Sequence, residues 1–446
     1  MDDVLEGQIG EWRAAVLRGR AVDAADADEL EGHLREQISD LEAAGLTGDE
    51  AFLIAVRRLG EVDLITAEFA REHSERLWKQ LAMSHPDDER RQPMLTMLGF
   101  AAVAAVLIQV ARVLAGVPDA ATAWFARDAS LFVLPVLAAY FAVQRRMPRP
   151  RVLAVGLVVA ALALAVNLFP FGLGASTELL VAIHLPVVLW FVVGAAYVGG
   201  DLRSSARRMD FIRFTGEWAI YYALIALGGA VLIGLTVLVL APIAPDVVDD
   251  VTLWVLPSGA AGAVVVAAWL VEAKKSVIEN LAPVLTAIFT PLFAVMLLVS
   301  AVAYAVAGIG RDFDRDLLTV FDVLLLVVLG LVVYGISARE ATRGAGVMDV
   351  VRLVAVVAAI VLDILVLVSM FARVGELGLT ANRVAALGLN IILLVNLTGT
   401  AWLIVRLLAG RAPAFRLERW QTGYLPVFAA WVVLVVLVLP PVFGFA

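Results

Sequence analysis

Two patterns of apolar positions follow one another along the chain. Over residues 1–84 apolar residues recur every three to four positions among charged ones, the period of helices with one buried face. Trp12, Ala15, Val16 and Leu17 mark a first helix that ends near Gly19. Leu30, Leu34, Ile38 and Leu41 mark a second, which Asp26 or Asp28 can cap and Gly45 can stop. Thr47 and Glu50 stand at capping-box spacing: the threonine side chain can take the Glu50 N–H while Glu50 reaches back. They open a third helix that carries Phe52, Val56 and Leu59 and closes at Gly60. A fourth is predicted from about Val62 through Phe69 towards Trp78, and residues 85–93, polar and holding two prolines, form a linker.

From Met94 the pattern changes to long apolar runs. They fall near 94–115, 128–144, 152–170, 179–199, 218–241, 251–271, 280–308, 317–338, 348–371, 384–408 and 424–443. A helix needs about 20 such residues to cross roughly 30 Å of hydrocarbon, so the runs at 128–144 and 152–170 are short and the others sufficient. The pattern predicts an all-α protein: a cytoplasmic helical domain over 1–84, then a polytopic bundle of about eleven spans over 94–446.

Composition supports this division. The chain is 62% hydrophobic and only 17% charged, against about 25% charge in soluble domains. The net charge of −8 is uneven: residues 1–93 hold 22 acidic and 11 basic residues, leaving 20 and 23 for the rest. Such an acidic head excludes direct nucleic-acid binding, which needs clustered positive charge. Absence of cysteine excludes disulfides, thiolate metal sites and thiol nucleophiles. The acidic start, with no apolar run before Met94, argues against a cleavable signal peptide. Basic residues alternate loop by loop. With the head inside, groups such as Arg145, Arg146, Arg149 and Arg151 or Arg203, Arg207, Arg208 and Arg213 are cytoplasmic. Arg112, Arg127, Arg311, Arg315, Arg373 and Arg383 fall on the other side. This asymmetry predicts a bacterial cytoplasmic-membrane protein with its N-terminus inside and its C-terminus outside.

Polar groups within lipid are where function concentrates. Asp363, with apolar neighbours on both sides, is either a proton or cation site or the buried partner of Arg373 or Arg383. Asp322 lies just below the outer surface. Asn390 and Asn396, like Asn167 and His184, read as interhelical hydrogen bonds. Proline suggests broken helices: Leu256-Pro-Ser-Gly-Ala-Ala-Gly in the sixth span, and Pro283 and Pro291 interrupting the seventh. Ser258 and Gly262 also form a small-residue packing face.

Glu29-Leu-Glu-Gly-His-Leu-Arg-Glu36, Gly45-Leu-Thr47, Glu50-Ala-Phe52 and Arg57-Arg-Leu-Gly60 resemble the permease prefix domain 1, also described as HAAS-like. That resemblance implies a signalling or docking module tied to a PadR-type regulator system, without chemistry of its own. In it His33 reads as a partly exposed helix residue, not a metal ligand. A second resemblance, over about residues 215–446, is to bacterial multi-pass proteins of the domain of unknown function 4153 type. It rests on Phe371-Ala-Arg-Val-Gly-Glu-Leu-Gly-Leu-Thr-Ala-Asn-Arg383, Leu387-Gly-Leu-Asn390 and Asn396, and implies no catalytic residue. Arg373, Glu376, Asn382 and Arg383 then form a polar outer loop flanked by the spans carrying Asp363 and Asn390.

The expected function is therefore that of a signalling or regulatory membrane protein whose head docks a cytoplasmic partner and whose body senses envelope state or a lipid-soluble ligand. The alternative is a permease-like secondary transporter using Asp363, Asn390 and Asn396. No phosphate-binding loop, His-Glu-x-x-His or Gly-x-Ser-x-Gly motif is present, so neither an enzyme nor a cofactor is expected.

Overall fold

The computed structural model describes residues 3–18, 24–43, 46–59, 88–116, 120–172, 174–241, 244–273, 281–307, 315–339 and 345–446. Every regular element among them is helical, and the chain divides into two units, Met1–Leu95 and Thr96–Ala446. The fourth head helix and the glycine stops at Gly19, Gly45 and Gly60 lie outside the described residues.

In the first unit, α1 (Asp3–Arg18), α2 (Ala24–Ala43) and α3 (Gly48–Leu59) share one core. Leu5, Ile9 and Trp12 lie along one face of α1 and bury against Leu34, Ile38 and Leu41 of α2 and Ala51 and Ala55 of α3. Helix α2 starts at Ala24, ahead of the expected caps Asp26 and Asp28. Helix α3 turns Ala51 and Ala55 fully inward and leaves Phe52 and Val56 half-buried. At its start the Thr47 N–H and hydroxyl both donate to Glu50, at 3.1 and 2.8 Å. The hydroxyl thus serves the carboxylate rather than the Glu50 N–H.

An ion ladder ties α1 to α2. Arg35 forks onto Glu6 at 2.7 and 2.8 Å and reaches Glu31, which also pairs with Arg13 at 3.0 Å. The Arg35 hydrogen bond holds the Glu6 carboxyl below its usual value of 4.5, and the Thr47 bonds do the same for Glu50. Their contribution to stability is complete above about pH 4.5 and is lost as pH falls through the depressed values. Hydrogen-exchange protection factors of α1–α3 in the full chain, corrected for the intrinsic pH dependence of amide exchange, are expected to fall on acidification in this range. Unchanged protection would separate these bonds from head stability.

The second unit is a bundle. Its helices are α4 (Asp88–Leu114), α5 (Ala120–Gln144), α6 (Arg149–Leu168), α7 (Ser176–Tyr197), α8 (Ser205–Leu240), α9 (Pro245–Asp250), α10 (Leu256–Ala273), α11 (Leu281–Ala307), α12 (Arg315–Ser337), α13 (Val347–Leu377), α14 (Ala381–Leu408), α15 (Phe415–Leu437) and α16 (Leu439–Val442). Since α4 begins at Asp88, the latter part of the expected linker is already helix; Asp88 and Glu89 suit the positive end of the helix dipole.

Among the described residues, ten helices are long and apolar enough to cross a membrane. They coincide with ten of the eleven expected spans; the remaining one corresponds to α11, whose described apolar stretch is Ile288–Tyr304. The second and third spans reach 21 and 20 residues, longer than their apolar runs. Large apolar side chains such as Leu224, Leu227 and Leu238 are exposed on the outside, the arrangement of a protein whose solvent is lipid. This is a multi-pass membrane protein.

Proline acts differently at its two expected breaks. A π-helical turn, Val251–Val255, precedes Pro257, which has no N–H for the carbonyl one turn back. Gln109 of α4 donates to Leu253 O at 3.4 Å, Trp254 O at 2.8 Å and Ser258 Oγ at 2.8 Å, replacing what the helix cannot supply. Gly262 meets Ala101 of α4, so the small-residue face does pack closely. Helix α11, by contrast, runs unbroken through Pro291, and Pro283 falls in its first turn, where proline fits.

Helices α14 and α15 meet through two glycine–tryptophan contacts. Gly388 packs on Trp431 and Gly399 on Trp420, so closely that a Cβ at either glycine would fall inside the indole. Each pair of like residues is eleven positions apart, three turns, which keeps both on one face.

Candidate functional site

Helix α13 buries a continuous face that includes Val356, Ala359, Leu362, Val366, Leu367 and Met370. Asp363 stands in the middle of this apolar stripe. It is 0% exposed, and among the described residues neither carboxylate oxygen has a hydrogen-bond partner or an ion pair. Arg383 instead donates to Leu377 O at 3.0 Å and Gly378 O at 2.7 Å, closing the end of α13. The arginine-partner reading of Asp363 therefore gives way. Two turns further on, Met370 shares the Asp363 face. Its sulfur accepts from Asn390 of α14 at 3.8 Å, and the same amide donates to Asp322 of α12 at 2.8 Å and to Ala386 O at 2.9 Å. Asn390 Oδ1 is left without a partner.

Asp322, Met370 and Asn390 thus join α12, α13 and α14, with Asp363 deeper in the bundle. By a rise of about 1.5 Å per residue, Asp363 lies roughly 21 Å from the α13–α14 turn and Asp322 roughly 10 Å from the start of α12. An uncompensated carboxylate in hydrocarbon costs several kcal/mol, roughly, so neutralising Asp363 takes a proton or a bound cation. Among the described residues no three of His, Cys, Asp and Glu gather as a metal site.

No protein-family model, curated protein or solved structure matches this chain. Residue geometry alone carries the functional reading.

The other five expected residues lie apart from Asp322, Asp363 and Asn390 in their described contacts. Asn396 exchanges bonds with Gln421 of α15 at 3.2 and 3.4 Å, and Gln421 donates to Thr400 at 2.7 Å. That cluster is buried and satisfied, an interhelical clasp. Arg373, Glu376, Asn382 and Arg383 flank a turn of only three residues, 378–380. Gly378 adopts a left-handed φ of 76°, and Thr380 caps α14 through the Arg383 N–H at 3.4 Å. Arg383 is a helix-terminating residue here. His184 bonds its own helix, at Leu180 O, rather than a neighbour.

Two features had no weight in the sequence. The first is a buried knot: Arg127 meets Asp128 at 2.8 Å and Glu178 at 2.9 Å, and Asn167 links Arg127, Asp128 and Trp124. Neutralised this way, Arg127 enters the second span, which explains that helix's extra length. The adjacent Arg-Asp pair at a span edge was the available signal. Arg127→Met leaves two carboxylates unpaired and is expected to cost about 3–5 kcal/mol in unfolding experiments on the solubilised chain. The second is an apolar cavity of about 790 Å³ between α7, α8, α11, α12 and α15. Trp190, Phe191, Phe289 and Phe428 line it, with Thr215, Thr286, Tyr334 and Gln421 among its polar groups. Its lining comes from five helices distant in sequence, so no local pattern announces it.

Proposed function

We propose that this chain is a permease-like secondary transporter whose coupling ion is a proton carried by Asp363, with Asp322 and Asn390 as the nearer station. The buried, partnerless carboxylate of Asp363 is the observation that supports this. Its natural resting partner is a proton, and alternating exposure of one such group is enough to couple solute movement to a proton gradient. The positive-inside charge pattern supports a cytoplasmic head. Proteoliposomes enclosing a pH-sensitive dye test the reading. Wild-type protein should conduct protons down an imposed gradient, and Asp363→Asn should reduce this to the rate of protein-free vesicles. Equal rates in wild type and variant would end the proposal.

A second reading, regulation, draws on the apolar cavity and on the acidic head. A lipid-soluble ligand in the cavity would be read out by a cytoplasmic partner, a PadR-type regulator by the prefix-domain resemblance. Deleting residues 1–84 in the producing cell should then change transcript levels, and an unchanged profile would remove it.

A further inference from the structure

A polar cavity of about 600 Å³ opens where α5, α7 and α10 end and α6 and α8 begin. Loop arginines at a membrane boundary ordinarily report topology alone, but here Arg145, Arg151, Arg207 and Arg213 converge on one concavity. Their partners divide them. Arg145 is neutralised by Glu272 at 3.1 Å and lies over the Tyr197 ring at 4.7 Å. Arg207 has Asp201 at 3.6 Å. Among the described residues, Arg151 and Arg213 have main-chain carbonyls as their only partners, Gly199 O at 2.9 Å and Ser337 O at 2.7 Å. A carbonyl fixes a guanidinium without neutralising it, and each fork keeps further N–H donors. The loop is shaped around Arg151: Gly200 has φ 78°, and a Cβ there would run into Arg151 Cδ at 2.5 Å. Four guanidinium groups outnumber the three carboxylates that line the cavity: Glu272 is engaged with Arg145, Glu217 is buried, and Asp210 is exposed.

We propose that this cavity binds a phosphate group, with Arg151 and Arg213 forking onto its oxygens. Two planar forks suit a tetrahedral oxyanion, and the cavity lies at helix ends, the depth of bilayer headgroups. Its volume exceeds a bare phosphate, so the ligand is a phosphate ester, either a lipid headgroup or a soluble compound. Full-length protein in detergent is titrated calorimetrically with glycerol 3-phosphate, and in nanodiscs of phosphatidylglycerol or phosphatidylcholine bound lipid is counted by native mass spectrometry. Saturable binding in the first arm assigns the soluble source; selective retention of phosphatidylglycerol assigns the lipid. In the arm that binds, Arg151→Gln should weaken binding about tenfold or more, since glutamine keeps an N–H for Gly199 O but loses the charge. Arg151→Lys should recover part of it, and Arg146→Gln, outside the cavity, should change nothing. Binding in neither arm, or Arg151→Gln binding as wild type does, overturns the proposal.

Discussion

Asp363→Asn is expected to abolish proton flux while leaving the unfolding temperature unchanged or higher. The two outcomes follow from one fact. A buried carboxyl with no donor and no counter-ion contributes nothing to packing that its amide isostere lacks, and the amide stays neutral without a proton. Relief of an unsatisfied buried group is worth about 1–3 kcal/mol, though the asparagine N–H groups in turn lack acceptors and offset part of this. A residue held for stability would behave oppositely: its loss would lower the melting temperature. Asp322→Asn should act differently again, because Asp322 accepts the Asn390 bond that joins α12 to α14. There a loss of about 1–3 kcal/mol is expected from the strained amide pair. Parallel melting curves and flux assays on the two variants distinguish a functional carboxylate from a structural one.

The second large effect is steric. Gly388→Ala places a methyl inside the Trp431 indole, an aromatic ring wedged between helices rather than a flexible side-chain end. Helix propensity favours the alanine by about 1 kcal/mol, but overpacking of this severity costs about 1–3 kcal/mol or more and forces α14 and α15 apart. Gly423→Ala, on α15 with open space around it, should instead be neutral or mildly stabilising. Replacing Trp431 by leucine should return most of the loss, and a double-mutant cycle by urea unfolding would show the coupling. Additive effects would mean that the indole moves aside without cost.

Much of the fold was legible because lipid imposes a simple rule: backbone polar groups must close on themselves over about 20 residues. Hence ten of the eleven expected runs fall on long apolar helices among the described residues. Helix α8, however, begins at Ser205, thirteen residues ahead of the expected start, and α15 at Phe415, nine ahead. The misses arise where side chains change that rule locally. Arg127 reads as loop charge until Asp128 and Glu178 are seen to neutralise it. Pro257 reads as a break until Gln109, nearly 150 positions earlier, is found to satisfy the freed carbonyls. The site was partly legible for the same reason. Asp363 and Asn390 stand out because any polar residue in an apolar run does. Their grouping did not, since Asn390 and Asn396, six positions apart, face different neighbours, Asp322 and Gln421. In the head, Leu34, Ile38 and Leu41 announced their face, whereas Leu5 and Ile9 were overlooked beside the more conspicuous Trp12.

The twin glycine–tryptophan contacts also limit how this bundle can move. Sliding α15 along α14 by a single turn would drive both indoles into neighbouring side chains, and only a shift of three turns would restore a matching notch. Shear between these two helices is therefore blocked, and they must travel as one lever. Any rearrangement that opens Asp363 to water has to pivot at the contacts α12 and α13 make with that lever.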